Sequence, residues 1–174
     1  AMGGLMAPIA ALASVTGFGA LIKGQIDLGD QLSKTSQKLG IAVEDLSAYQ
    51  YAAKLSDMSN EQLTSGLSRL AKAMQEAATS PTGQAAASFR ALGVSVQDAA
   101  GNLRPLNVVL EEVSQRFEQT RDGTNKTAMA MQLFGRSGTE LVPLLNNLRG
   151  LSEEARRTGN IVSTEFAQKS EQFN

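Results

Sequence analysis

The stretch Lys126–Asn147, KTAMAMQLFGRSGTELVPLLNN, contains two groups of apolar residues separated by a Gly-Arg-Ser-Gly sequence. On each side of the interruption, apolar residues recur every three or four positions, which predicts two short amphipathic helices. Their predicted inner faces are Ala128, Met131 and Phe134 in the first helix and Leu141, Leu144, Leu145 and Leu148 in the second. The stretch therefore predicts a tight corner between two helices that pack into one core.

The residues of this corner carry the signals of one helix end and one helix start. Gly135 can adopt the left-handed backbone conformation with which many helices end. Ser137 stands three residues before Glu140, the spacing at which a hydroxyl caps a helix and a carboxylate bonds back to the cap. Pro143 lies inside the second helix, where its missing N–H predicts a bend or a later helix start.

The composition excludes several kinds of chemistry. The 174 residues are enough for one domain with a hydrophobic core, and they include no Cys, His or Trp. Disulfides, thiolate or imidazole metal sites, cysteine nucleophiles and histidine general bases are therefore excluded. The net charge of −1 gives no global electrostatic reason to bind nucleic acid or anionic lipid. We expect no cofactor, no metal and no specific nucleic-acid partner.

The first 22 residues carry no charged side chain, and Leu5–Ile22 is an apolar run of borderline length for a membrane span. Pro8, Gly17 and many alanines weaken it as a span, and no basic region precedes it as in a secretory signal. The favoured interpretation is a helix buried against partner chains, with a membrane-active segment or a disordered end as alternatives. The opening Ala1-Met2 is interpreted as the start of a fragment from inside a longer protein.

Helical spacing and cap signals predict further helices along the chain. The predicted helices are Gln25–Leu39 with a stop at Gly40, Val43–Ser56, one from the capping box Ser59–Gln62 to about Thr79, Gln84–Leu92, one from about Pro105, Ser152–Thr158, and one capped by Ser163 or Thr164. Val94-Ser95-Val96 alternates like a strand, so a small β-hairpin is an option near residues 94–104.

No group of residues forms a recognisable catalytic constellation. The acidic pairs Glu44/Asp45, Glu111/Glu112 and Glu153/Glu154 are adjacent on predicted helices, so each pair diverges and is interpreted as a solvated face. The Gly-Arg-Ser-Gly corner lacks the strand and the Gly-Lys-Ser/Thr ending of a phosphate loop. Arg136 is instead expected to bond carbonyls at the end of the preceding helix, and Arg149, Arg156 and Arg157 are interpreted as ordinary surface.

Three blocks resemble, in the same order, segments of tail tape-measure proteins of long-tailed bacteriophages and prophages. They are DQLSKTSQKLGIAVEDLSAYQYAAKLS from Asp30, GVSVQDAAGNLR from Gly93, and AMQLFGRSGTELVPLLN from Ala130. Ile41 and Tyr49 differ from the residues common in the family without changing the apolar pattern. The resemblance marks these residues as structural: Leu133, Phe134, Gly135, Arg136, Ser137, Gly138, Leu141, Pro143, Leu144, Leu145, Gly40, Leu46 and Tyr51.

The resemblance implies a non-enzymatic protein that templates the tail tube and its length, fills the tail lumen after assembly in the host cytoplasm, and exits ahead of the DNA. It implies the tail tube protein, tail assembly chaperones, tail tip or baseplate proteins and further copies of itself as partners. The alternative function is membrane insertion, in which residues 5–22 help to form the DNA ejection channel. Some relatives cleave peptidoglycan, but this segment offers no residues for that reaction.

The predicted fold class is mainly α, a segmented bundle of short amphipathic helices, because a glycine or proline interrupts the pattern every ~10–20 residues. Three parts are predicted: an apolar Ala/Gly-rich helical segment at 1–22, a compact helical domain at 23–150, and the truncated start of a further helical region at 151–174. Since a chain with so many helix ends cannot form one continuous helical rod, we expect a compact or segmented domain. We expect it near one end of the ruler, the part of a tape-measure protein that sets the tail length.

Overall fold

The computed structural model describes the backbone of residues 15–172 and the side chains of residues 27–172. Within this part of the chain there are eight α-helices and no β-strand, which confirms the mainly α fold class. The helices are α1 Val15–Leu39, α2 Val43–Leu55, α3 Asn60–Thr79, α4 Gln84–Leu92, α5 Leu106–Gln119, α6 Thr124–Phe134, α7 Gly138–Thr158 and α8 Thr164–Gln172.

The helices enclose one hydrophobic core rather than forming a rod. Helix α7 packs against α2, α5 and α6, helix α3 packs against α4 and α6, and α8 packs along α1. The largest side chains that are fully buried include Tyr49, Phe89, Phe117, Leu133 and Leu148. A single helix over the same residues would be about 240 Å long. The expectation of a compact, segmented bundle therefore holds for the described part of the chain.

The capping box predicted at the start of α3 is confirmed. The Ser59 hydroxyl accepts a hydrogen bond from the Gln62 N–H at 3.2 Å, and the Gln62 side chain accepts one from the Ser59 N–H at 2.9 Å. These bonds satisfy two N–H groups that a helix start otherwise leaves unpaired. The apolar residues that recur along α3 at intervals of three or four positions are all buried: Leu63, Leu67, Leu70, Met74 and Ala77.

Two predicted helix boundaries are wrong. Helix α1 does not begin at Gln25 but continues back to Val15, since a glycine inside a helix weakens it by only about 1 kcal/mol and does not end it. The short helix predicted to start with a Ser152 cap is the last part of α7, and Ser152 is buried inside that helix. Of the two alternatives predicted for Pro143, a bend or a later helix start, the later start is not observed, because α7 begins at Gly138 and the missing N–H removes a single hydrogen bond.

The small hairpin near residues 94–104 is reduced to one antiparallel bridge between Gln97 and Leu103. Val94 and Val96 turn into the core as the alternation predicts, but Leu103 is 47% exposed. The turn is held by the Asp98 carboxylate, which accepts hydrogen bonds from the N–H groups of Ala100 and Asn102 at 2.9 Å. One isolated bridge adds little stability, so the two valines are held mainly by packing against the helices.

The three-part division of the chain stays a prediction. Gly150 lies inside α7, and α8 returns to pack on α1. Of the apolar run at residues 5–22, residues 5–14 lie outside the described residues. Only the helical backbone is described for the remainder.

Candidate functional site

The corner between α6 and α7 is the most specific part of the sequence, and its geometry depends on two glycines. Gly135 ends α6 with a φ of +80°, a backbone region that side chains with a Cβ rarely adopt. Its N–H donates to the Met131 carbonyl at 2.9 Å, and the Gly138 N–H donates to the Gly135 carbonyl at 2.8 Å. A Cβ on Gly138 would overlap the backbone carbonyl of Ala130. The start of α7 therefore lies directly against the last turns of α6.

The residues that the resemblance singles out in this block fall into two groups. Leu133, Phe134, Gly138, Leu141, Leu144 and Leu145 are buried, whereas Arg136, Ser137 and Pro143 are exposed and Gly135 is half-buried. Leu141 packs against α3 at Gly66. A Cβ on Gly66 would lie only 2.6 Å from a methyl group of Leu141. The buried group thus packs the corner against α3 and α5, and the exposed group stays at the surface.

The predicted inner face of α6 is partly wrong. Phe134 is buried, but Ala128 is exposed and Met131 is 46% exposed. Ala130 and Leu133 are buried in their place, together with Lys126, whose ammonium donates to the Thr120 carbonyl and to Asp122. The helix is rotated because its contacts with both α3 and α7 select the buried side.

The predicted caps at the corner are also not formed. Ser137 precedes α7, but its hydroxyl makes no cap hydrogen bond. The Glu140 carboxylate does not bond back to it, because it accepts a hydrogen bond from the Gln62 side chain at 2.7 Å. Arg136 makes no side-chain hydrogen bond with any described residue, so it does not bond the carbonyls of α6 as expected.

The block around α2 meets the corner block through α7. Gly40 ends α1 with a φ of +64°, and Leu46 is fully buried. Tyr51 is half-buried, and its hydroxyl donates to Glu154 of α7 at 3.3 Å. Two segments about 100 residues apart in the sequence therefore form one helix interface.

A polar network across this interface was missed at the level of the sequence. The buried Tyr49 hydroxyl donates to Glu111 of α5 at 2.9 Å, and burial raises the pKa of Tyr49. The Arg156 guanidinium lies 2.7 Å from Asp45 and 3.7 Å from Glu111. Glu111 and Glu112 are half-buried and paired rather than facing water, and so are not the solvated face predicted. The network connects α2, α5 and α7.

The side chains that the structure describes contain no cluster of three or more Asp or Glu residues able to hold a metal ion. Among the described helices, none combines the length and apolar character needed to cross a membrane. The membrane-inserting role of residues 5–22 stays a prediction.

The fold and the corner define a helical structural domain, because the sequence-specific residues serve in helix packing and in the turn. The chain belongs to the phage-related minor tail protein family, whose sequence model matches residues 9–135. It is therefore a phage tail protein and a component of the virion.

A curated relative gives a more specific similarity. The chain is 26% identical over 123 residues to the probable tape measure protein of Escherichia phage P2. The match covers 70% of this chain but only 15% of that protein, so the chain spans a small part of the relative's length. No solved structure matches the chain. The resemblance to the tape-measure family is thus confirmed, and the family match extends over the first two blocks and up to Gly135.

Proposed function

We propose that this chain is a compact domain of a tail tape-measure protein, one that anchors the ruler in the assembling tail. The observation that carries the proposal is the joint match to the minor tail protein family and to the probable tape measure protein of phage P2. The parent protein templates the tail tube, occupies its lumen after assembly in the host cytoplasm, and leaves before the DNA. In this role the domain forms structural contacts and carries out no reaction.

The folded bundle supports a position outside the length-setting part of the protein. A ruler made of α-helix gains about 1.5 Å per residue, and this requires long helices without interruption. Within the described residues no helix spans more than 25 residues, and α1, α4, α6 and α7 are each followed by a glycine with positive φ. The domain therefore suits a fixed attachment point, for which the proposed partners are the tail tube protein, tail assembly chaperones, tip or baseplate proteins and further copies of this chain.

Deleting residues 23–150 from the parent protein tests the proposal. If the segment is an attachment domain, the deletion stops the formation of tails or leaves tube polymerisation without control of length. If the segment were part of the ruler, tails would still form and would be shorter by about 190 Å, at 1.5 Å per residue. Electron microscopy of negatively stained particles distinguishes the two results, and uniformly shortened tails would contradict the proposal.

A matched control removes the same number of residues from an uninterrupted helical stretch elsewhere in the parent protein. This control is expected to shorten the tail by the same 190 Å, because a helix of a given length sets that distance. The pair of deletions therefore separates a change in tail length from a loss of assembly.

A further inference from the structure

A cavity of about 370 Å³ lies beside the corner, between α3 and the turn that joins α6 to α7. Arg69 of α3 and Arg136 of the turn both line it, together with Ser65 and Ser137. The Arg69 side chain lies across the corner, with its Cγ, Cδ and Nε atoms 3.5–3.6 Å from the Cβ position of Gly135. The turn that the sequence marks as specific thus brings two guanidinium groups to one cavity.

Neither guanidinium has a counter-charge among the side chains that the structure describes. Some basic residues are paired, such as Lys34 with Asp30 and Arg104 with Glu112. Arg149 and Arg157 also have no described partner, but they lie on α7 away from this cavity. The nearest acidic residue in the sequence of the corner, Glu140, is bonded to Gln62. The cavity therefore presents positive charge and no carboxylate.

Hydrogen-bond donors of the backbone add to this positive charge. The N–H groups of Arg136, Ser137 and Thr139 donate to no acceptor within residues 27–172. They lie at the N-terminus of α7, a helix of 21 residues, where the helix dipole favours an anion. The hydroxyls of Ser65 and Ser137 are likewise without a hydrogen bond in the described part of the chain.

We propose that this cavity binds a carboxylate from an acidic segment of a partner protein. The planar fork of an arginine matches a carboxylate with two parallel hydrogen bonds. Met131 lines the same cavity and is 46% exposed, so it offers an apolar contact to the methylene groups of a glutamate side chain. Nucleic acid is a poorer ligand, because it requires a surface that neutralises several phosphates and this chain has a net charge of −1. The inference does not depend on the templating role of the parent protein.

Fluorescence anisotropy with a labelled hexa-glutamate peptide tests the site on the 174-residue chain, at low salt so that screening is limited. The double variant Arg69→Gln/Arg136→Gln is expected to weaken binding by at least about tenfold, because it removes two charge-assisted contacts. The control Arg149→Gln/Arg157→Gln removes the same charge from exposed positions of α7 and is expected to change the affinity by less than about twofold. All four arginines are exposed, and circular dichroism checks that both variants are folded.

A titration followed by NMR supplies an independent readout of position. Bound peptide is expected to shift the amide resonances of Arg136, Ser137 and Thr139 in the unmodified chain and not in the Arg69/Arg136 variant. The proposal is overturned if the peptide does not bind at millimolar concentration, or if both double variants weaken it equally. It is also overturned if a single-stranded oligothymidine binds more tightly than the peptide through the same two arginines, which would indicate a nucleic-acid site.

Discussion

Phe134 ends α6 with 3% of its surface exposed and shares a small apolar space with Leu63, Leu110 and Leu141. We predict that Phe134→Ala lowers the free energy of unfolding by about 3–5 kcal/mol, as truncation of a large core side chain does. Met131, one turn earlier, is 46% exposed, and Met131→Ala is expected to lower it by less than about 1 kcal/mol. Urea denaturation of both variants measures the difference, and losses of similar size would contradict the assignment of Phe134 to the core.

At this scale the sequence indicates which residues are apolar but not the rotation of a short helix. Ala128, Met131 and Phe134 fit one face of a helix, and so do the residues that are buried, Ala130, Leu133 and Phe134. What decides between them is the position of α3 and α7 on either side of α6, and no local pattern contains that information. The buried Lys126 follows from the same cause, because its ammonium reaches the carbonyl of Thr120 at the end of α5.

The elements are predicted best where a cap or a special backbone conformation fixes their ends. Helix α3 begins after the capping box at Ser59, and Gly40, Gly93 and Gly135 follow three helices with positive φ. Gly150 has no such role, because it lies inside α7, although the sequence predicts that a new helix begins at Ser152. The residue type is the same in both cases, and only the surrounding contacts separate a helix end from a helix interior.

Two glycines of α7 allow this distinction to be tested with the same substitution. Gly138→Ala is expected to lower the free energy of unfolding by about 1–3 kcal/mol or more, because the new Cβ overlaps the Ala130 carbonyl and α6 must move away. Gly150→Ala is expected to raise it by about 0.5–1 kcal/mol, because no described residue comes within 4 Å of its Cβ position and alanine favours the helix. Thermal and urea denaturation measure both signs, and destabilisation by Gly150→Ala would show that α7 is not continuous there.

On the scale of the whole molecule, contacts between residues far apart in sequence join the last helix to the first two. Glu44 of α2 accepts hydrogen bonds from the Thr164 N–H at 2.7 Å and the Thr164 hydroxyl at 2.8 Å. The hydroxyl of Ser33 in α1 donates to Glu171 at 3.0 Å. These pairs, like Tyr49 with Glu111, are separated by 62 to 138 positions, so the sequence identified the charged residues and not their partners.

The bond between Glu44 and Thr164 makes the attachment of α8 dependent on pH. Hydrogen bonds from the backbone and the side chain of Thr164 lower the pKa of Glu44 below its ordinary value of 4.5. A carboxyl group whose pKa is lower in the folded state stabilises that state above the ordinary pKa, and the contribution is lost as the pH falls through the lowered value. As the pH falls below about 4.5, the attachment of α8 to α2 is therefore expected to weaken.

Hydrogen exchange of the amides in α8 measures how strongly Glu44 holds this helix. At pH 7 the protection of α8 is expected to be lower in Glu44→Gln than in the unmodified chain, because the neutral amide accepts weaker hydrogen bonds than the carboxylate. Glu153→Gln is the matched control, since it removes one negative charge from an exposed position of α7 that bonds to no described residue. It should leave the protection of α8 unchanged, whereas the core helix α3 should stay protected in both variants. Equal protection of α8 in Glu44→Gln and in the unmodified chain would show that α8 is held by its packing on α1 and not by Glu44.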